Sequence, residues 1–174
     1  MSDYVGNKID LDNKNMGSFP VEMTGDHTFF SYSGDDPEDV IDRFLDIDSV
    51  GKTVVITDPY LFTQQDEDYK KLAIKALTKT GASRIIYCQH EHPNCQVFGD
   101  IQANLNGIIL EYKKLEKCHD RFWYCIESKQ GFYMGGSLNT IGKKTCAIDW
   151  MSEETKNDFI QMLNDQGVIH AAQS

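Results

Sequence analysis

Apolar positions along the chain alternate between two periods. After Asp35-Asp36-Pro37, the residues Val40, Ile41, Phe44, Leu45 and Ile47 recur at helical spacing. The opening suits a helix start, because Asp accepts from free amides and Pro fits the first turn. Gly51 ends that unit. Residues 53–57 form a compact apolar run of strand type, with Asp58-Pro59-Tyr60 at its end. Within residues 66–80, Tyr69, Leu72, Ala73, Ala76 and Leu77 make one stripe and predict the clearest helix, closed by Gly81. Residues 84–88 are a second β-branched run, and a helix is expected within 97–105. Asn106-Gly107 marks a turn, and 108–112 is a third strand. Strand, helix, strand, helix, strand at these lengths predicts parallel pairing with crossover helices.

The style changes after His119. Residues 122–126 and 131–134 predict an antiparallel hairpin turning near 128–130, and a short strand is expected over 145–148. Ser152 caps a last helix with Glu153 and Glu154 in its first turn and Phe159, Ile160 and Leu163 on its buried face, and Gly167 ends it. Upstream, residues 27–33 are aromatic and β-prone. Residues 1–25 are rich in Asn, Asp, Lys and Gly and predict a loosely attached arm, with one short strand near 19–23. The expectation is a flexible arm over 1–25, one α/β domain with a mixed sheet flanked by helices over 26–168, and a frayed tail over 169–174.

The chain has 174 residues, with 17 basic against 27 acidic ones and a formal net charge of -10. That balance argues against nucleic-acid binding through the whole surface, which needs a basic face. A local basic pocket remains compatible with it. Five of the 17 basic residues, Lys113, Lys114, Lys117, Lys143 and Lys144, flank the stretch from Cys118 to Gly142. They form either an anion-attracting patch or the solvated rims of strands. Five cysteines, an odd number, with no secretory signal and no apolar run long enough for a membrane span, predict reduced thiols in a cytoplasmic protein.

Candidate chemistry concentrates between Cys118 and Lys144. Here stand His119-Asp120-Arg121-Phe122, an aromatic hairpin, Gly135-Gly136-Ser137-Leu138-Asn139, and then Gly142-Lys143-Lys144. Strand ends that gather an imidazole, a guanidinium, a hydroxyl and a carboxamide make a phosphate site. The imidazole is a nucleophile near neutral pH, and the planar guanidinium pairs two phosphate oxygens at once. On a regular strand His119 and Arg121 share a face, as do Ser137 and Asn139, whereas of the two carboxylates available to orient the imidazole Asp120 lies on the other face and Glu127 far along the strand.

This segment resembles the phospholipase D superfamily, whose signature is His-x-Lys, four residues, Asp, six residues, then Gly-Ser-x-Asn or Gly-Gly-x-Asn. His119 takes the place of the family's nucleophile, and Ser137 and Asn139 match the polar end of the motif. Arg121 occupies the lysine place and Ile126 the aspartate place, and the second half comes three residues late. The segment is more similar to a divergent branch reading His-Asp-Arg-Phe, Gly-x-Ser-Leu and Gly-Lys-Lys, found in small bacterial and phage proteins. The resemblance implies one phospholipase D-like half-domain, no cofactor, and a homodimer in any active form, since family enzymes oppose two motifs and this chain has one. Phe122, Trp123, Phe132 and Tyr133 read either as core or as part of that dimer interface.

Two functions follow. One is a catalytically inactive domain, set in bacterial or phage host–virus conflict, that recognises a phosphate-bearing ligand (nucleic acid, nucleotide or phospholipid) or a protein partner. The other is a metal-independent phosphodiesterase, a nuclease or phospholipase, with His119 as nucleophile and Arg121, Ser137 and Asn139 around it. Asp58 closes a central strand, where ligands of open α/β sheets sit, and either helps bind or caps the following turn. Asp120, Lys143 and Lys144 complete the candidate binding set. Separately, Cys88, His90, His92 and Cys95 place four zinc-type ligands in eight residues, although the spacing is not that of a common finger.

Overall fold

Each α-helix begins where a side chain accepts from its free amides. Asp36 caps α1 (Pro37–Phe44), Asp66 caps α2 (Glu67–Lys79), Asn94 caps α3 (Cys95–Ala103) and Ser152 caps α4 (Glu153–Asp165). A cap of this kind contributes about 1 kcal/mol. The third helix starts earlier than its apolar spacing predicts, because the Asn94 carboxamide already meets the amides of Gln96 and Val97. The strands are β1 (Phe29–Ser31), β2 (Thr53–Thr57), β3 (Arg84–Gln89), β4 (Ile109–Lys114), β5 (Arg121–Cys125), β6 (Gln130–Met134) and β7 (Cys146–Trp150). These elements come from a computed structural model that describes residues 28–116 and 118–169. The expected arm over 1–25, with its strand near 19–23, lies outside the described residues, as does all of the expected tail except Ile169.

The seven strands form one mixed sheet in the order β1-β7-β6-β5-β2-β3-β4. The β2–β3 and β3–β4 pairs are parallel, and every other pair is antiparallel. The three strands expected to pair in parallel do so, and the hairpin joins them through β5, which runs against β2 with Thr57 opposite Phe122. Consequently β2 ends, β5 begins and β6 ends at the same edge.

Helices cover both faces of the sheet. On one face Val54, Ile56, Ile85, Tyr87 and Trp123 pack with buried residues of α1, α2 and α3. On the other, Val55, Ile86, Phe122 and Tyr124 pack with Phe159 and Leu163 of α4. The aromatic hairpin lies between the layers. Trp123 stacks on Phe132 at 5.8 Å, Phe132 meets Phe44 edge-on at 5.2 Å, and Phe122 meets Phe159 at 4.8 Å. Phe122, Trp123 and Phe132 are thus core residues and present no surface to a second chain, while Tyr133 is half-buried. Burying each stabilises the fold by about 2 kcal/mol, which an exposed interface position would forfeit in the monomer. Among the described residues no helix is long and apolar enough to cross a membrane.

One glycine beside the candidate segment is sterically required. Gly142 has φ +72°, its carbonyl accepts from the Gly34 amide at 2.8 Å, and a Cβ there would stand 2.4 Å from the Asp35 carbonyl oxygen. Gly107 has a similar φ of +78° but open space around it. Gly107→Ala should therefore cost about 1 kcal/mol, the left-handed penalty alone. Gly142→Ala should cost about 1–3 kcal/mol more, because backbone must move. Urea denaturation of the two variants beside wild type checks the difference.

Candidate functional site

β2 is apolar until its end and then meets a carboxylate. Asp58, the first residue past the strand, has no exposed surface. Its Oδ2 accepts from the Ser137 hydroxyl at 2.7 Å and the Leu138 amide at 3.1 Å. Its Oδ1 accepts from the Tyr60 amide at 3.0 Å and lies 4.0 Å from Arg121 Nε. The Asp58 carbonyl accepts from the Tyr87 hydroxyl at 2.8 Å. One side chain thereby joins the turn after β2, the first residue of β5 and the loop after β6. The expected choice between turn cap and binding residue is too narrow: Asp58 caps the turn and also clamps the other two segments.

Neighbouring bonds hold the same edge. The Thr57 hydroxyl donates to the Asp120 carbonyl at 2.8 Å and accepts from the Phe122 amide at 2.9 Å, stitching the entry of β5 to the end of β2. The Thr140 hydroxyl donates to the Ser137 carbonyl at 2.7 Å and closes the turn Leu138–Thr140. Burial raises the Asp58 carboxyl above its ordinary 3.8, against the pull of Ser137, the Tyr60 and Leu138 amides and the Arg121 charge. The Ser137 hydroxyl can rotate to accept from a protonated carboxyl, so both forms fit.

Arg121 is the cation of the site. Its side chain is 22% exposed, and its guanidinium carbon lies 5.7 Å from the centre of the Tyr60 ring. Nε is buried without a hydrogen bond, as is Oδ1 of Asn139 on the adjoining turn. Buried polar atoms nearly always find a partner, and leaving one unpaired costs about 1–3 kcal/mol. Of the seven such side-chain atoms among the described residues, five lie between Cys118 and Lys144, and these two adjoin the segments that Asp58 clamps. Arg121 therefore meets a carboxylate and an aromatic ring on its protein side and has donors left for an anion.

The other expected residues divide. His119 precedes the strand and is exposed, so strand alternation does not govern its direction. Ser137 is buried and its hydroxyl is engaged by Asp58, and Asn139 sits in a 3-10 turn, so the two do not share a strand face. Asp120 is half-buried beside Arg121. Glu127 accepts from the Thr53 amide at 2.9 Å at the opposite end of β2, far from His119. Lys143 and Lys144 are exposed after Gly142. Lys114 pairs with Glu116 at 2.5 Å, and Lys117 lies outside the described residues.

The cysteine–histidine loop is spread out. Cys88 lies in the core, where burial pushes its thiol up to about 12. His90 lies 3.1 Å from Glu116, His92 packs against Tyr112, and exposed Cys95 begins α3. No group of three or more His, Cys, Asp or Glu among the described residues is placed to hold a metal ion.

Sequence reasoning passed over Tyr60 and Thr57. Their signal was the abrupt Thr-Asp-Pro-Tyr after an uncharged strand. An open groove lined by Asp42, Lys71, Ile74, Lys75, Thr78, Lys79 and Asn104 lies by the C-terminal ends of α1–α3, at the other end of the sheet from Asp58.

No family model matches the chain, and no curated protein does. Among solved structures it is similar to a polyphosphate kinase from Porphyromonas gingivalis, with TM-score 0.48 and 10% identity, over 85% of this chain and 27% of that one. It is also similar to TrmBL2, an archaeal chromatin protein described with a novel mode of DNA binding, with TM-score 0.42 and 15% identity, over 83% of this chain and 53% of that one. The chain thus spans about a quarter and about half of these two proteins.

Asp58→Asn leaves one of the three donors to Asp58 without an acceptor and should destabilise the protein by about 1–3 kcal/mol at neutral pH. The pH dependence has a definite sign. Because the folded carboxyl titrates above 3.8, the folded state holds a proton that the unfolded chain releases in that window. The contribution of Asp58 is therefore fully present below 3.8 and falls as pH rises through the raised value. Urea titrations should show this decline in wild type and its loss in Asp58→Asn.

Proposed function

We propose that this chain is a divergent phospholipase D-like half-domain that holds a phosphate-bearing ligand at the Asp58–Arg121 edge of its sheet. The observation that carries the reading is the state of Arg121: a partly buried guanidinium, fixed by a carboxylate and a ring, with no hydrogen bond of its own among the described residues. A planar fork so held is prepared for two oxygens of one phosphate. Its neighbours are the exposed His119 and the Ser137–Asn139 turn, the polar positions of the His-Asp-Arg-Phe and Gly-Gly-Ser-Leu-Asn segments. Reduced thiols suit a cytoplasmic setting, and the bacterial or phage context follows from the resemblance alone.

The second reading, a homodimeric metal-independent phosphodiesterase, is favoured by His119 itself, exposed and two residues from Arg121. It would need two chains to oppose their histidines across a two-fold axis, since one chain carries one motif. Binding is preferred because Ser137 is committed to Asp58 and the motif's lysine and aspartate are replaced.

Inorganic phosphate should raise the Tm of wild type, as any ligand selective for the folded state does. Arg121→Ala should abolish that rise. Hydrolysis of bis-(p-nitrophenyl) phosphate in EDTA should not exceed buffer. Turnover in EDTA that disappears in His119→Ala would replace binding with catalysis.

A further inference from the structure

Tyr60 stands beside the Arg121 cation and is 49% exposed as a residue, one of the few large hydrophobic residues so exposed among the described residues. Its backbone is held from both sides. The amide donates to Asp58, the carbonyl accepts from the Thr63 hydroxyl at 2.9 Å, and Pro59 fixes the preceding φ. The Arg121 guanidinium lies against the ring at 5.7 Å, and no other aromatic ring among the described residues contacts it. A rigid, half-exposed ring next to an open guanidinium is a poor arrangement for stability alone, since the exposed ring area gains little from folding.

We infer that the ligand is a nucleotide, with its phosphate on Arg121 and its base stacked on Tyr60. This inference rests on the phosphate-binding reading above and adds the class of ligand. Bases stack on exposed aromatic side chains, and the gain is about tenfold to a hundredfold in affinity per base. Charge then separates the sources of phosphate. A net charge of -10 repels a long polyanion, whose binding depends on many phosphate contacts, but costs little against one phosphate already neutralised by Arg121. The same acidity opposes docking on an anionic lipid surface, which attracts basic segments. A small nucleotide satisfies the cation, the ring and the acidic exterior together.

The test uses the full chain and isothermal titration with three probes: inorganic phosphate, ribose 5-phosphate and 5′-AMP. For wild type, 5′-AMP should bind about tenfold or more tightly than ribose 5-phosphate. In Tyr60→Ala the ratio of 5′-AMP to ribose 5-phosphate affinity should fall to about one, with any loosening of Arg121 weakening both ligands alike, and Tyr60→Phe should restore the ratio. Equal binding of 5′-AMP and ribose 5-phosphate by wild type would overturn the inference and leave the phosphate site standing. Binding of none of the three would overturn both. A deoxythymidine oligomer that binds more tightly than 5′-AMP, with affinity falling steeply in salt, would overturn the small nucleotide in favour of a polymer.

Discussion

The buried carboxylate of Asp58 is the constraint on which the candidate site depends. A carboxyl group without contact to water is tolerated only when its oxygens are met, and here three donors and a nearby cation meet them. Those partners come from chain positions 60, 121, 137 and 138. None of these segments pairs with the others as regular strand at that point, so the carboxylate supplies what the ladder no longer can. Removing it would leave amides and a hydroxyl unpaired in the interior and a guanidinium without its counter-charge.

Topology explains why this happens at one edge. Parallel β2, β3 and β4 deliver their C-terminal ends there, and the antiparallel hairpin turns the start of β5 and the end of β6 to the same side. The aromatic layers of the hairpin hold that arrangement rigidly, with Phe44 packed on one side and Phe159 on the other. Trp123, two residues along β5 from Arg121, is locked against Phe132, so the backbone that carries the cation has little freedom. Core packing and site geometry are thus the same structure seen from two ends.

The site departs from local economy in a consistent direction. Arg121 Nε and Asn139 Oδ1 are buried and unpaired, Tyr60 is exposed, and Asp58 is a fully buried carboxyl group. Each costs stability, and the four are joined through one turn and two loops. Natural sequences accept such local conflicts mainly where function requires them. The zinc-type loop shows the contrary pattern: Cys88 joins the core, His90 and His92 find separate partners, and Cys95 is exposed at the start of α3.

Much of the fold was legible in the chain. The strand at 53–57, the caps Asp36 and Ser152, the parallel β2–β3–β4 unit and the hairpin all follow from periodicity and local hydrogen-bond chemistry, which act over a few residues. The segment from His119 to Lys144 was also legible as the place where chemistry gathers. The roles within it were not. That Ser137 serves Asp58, that Tyr60 faces Arg121, that Glu127 lies at the far end of β2, and that Phe122, Trp123 and Phe132 are core are facts of pairing between residues up to 79 positions apart. The sequence by itself determined which elements form, because capping, turn preference and apolar period are local. Only the tertiary structure decided which side chains meet, because strand order and register bring distant segments together, and no local pattern records that meeting.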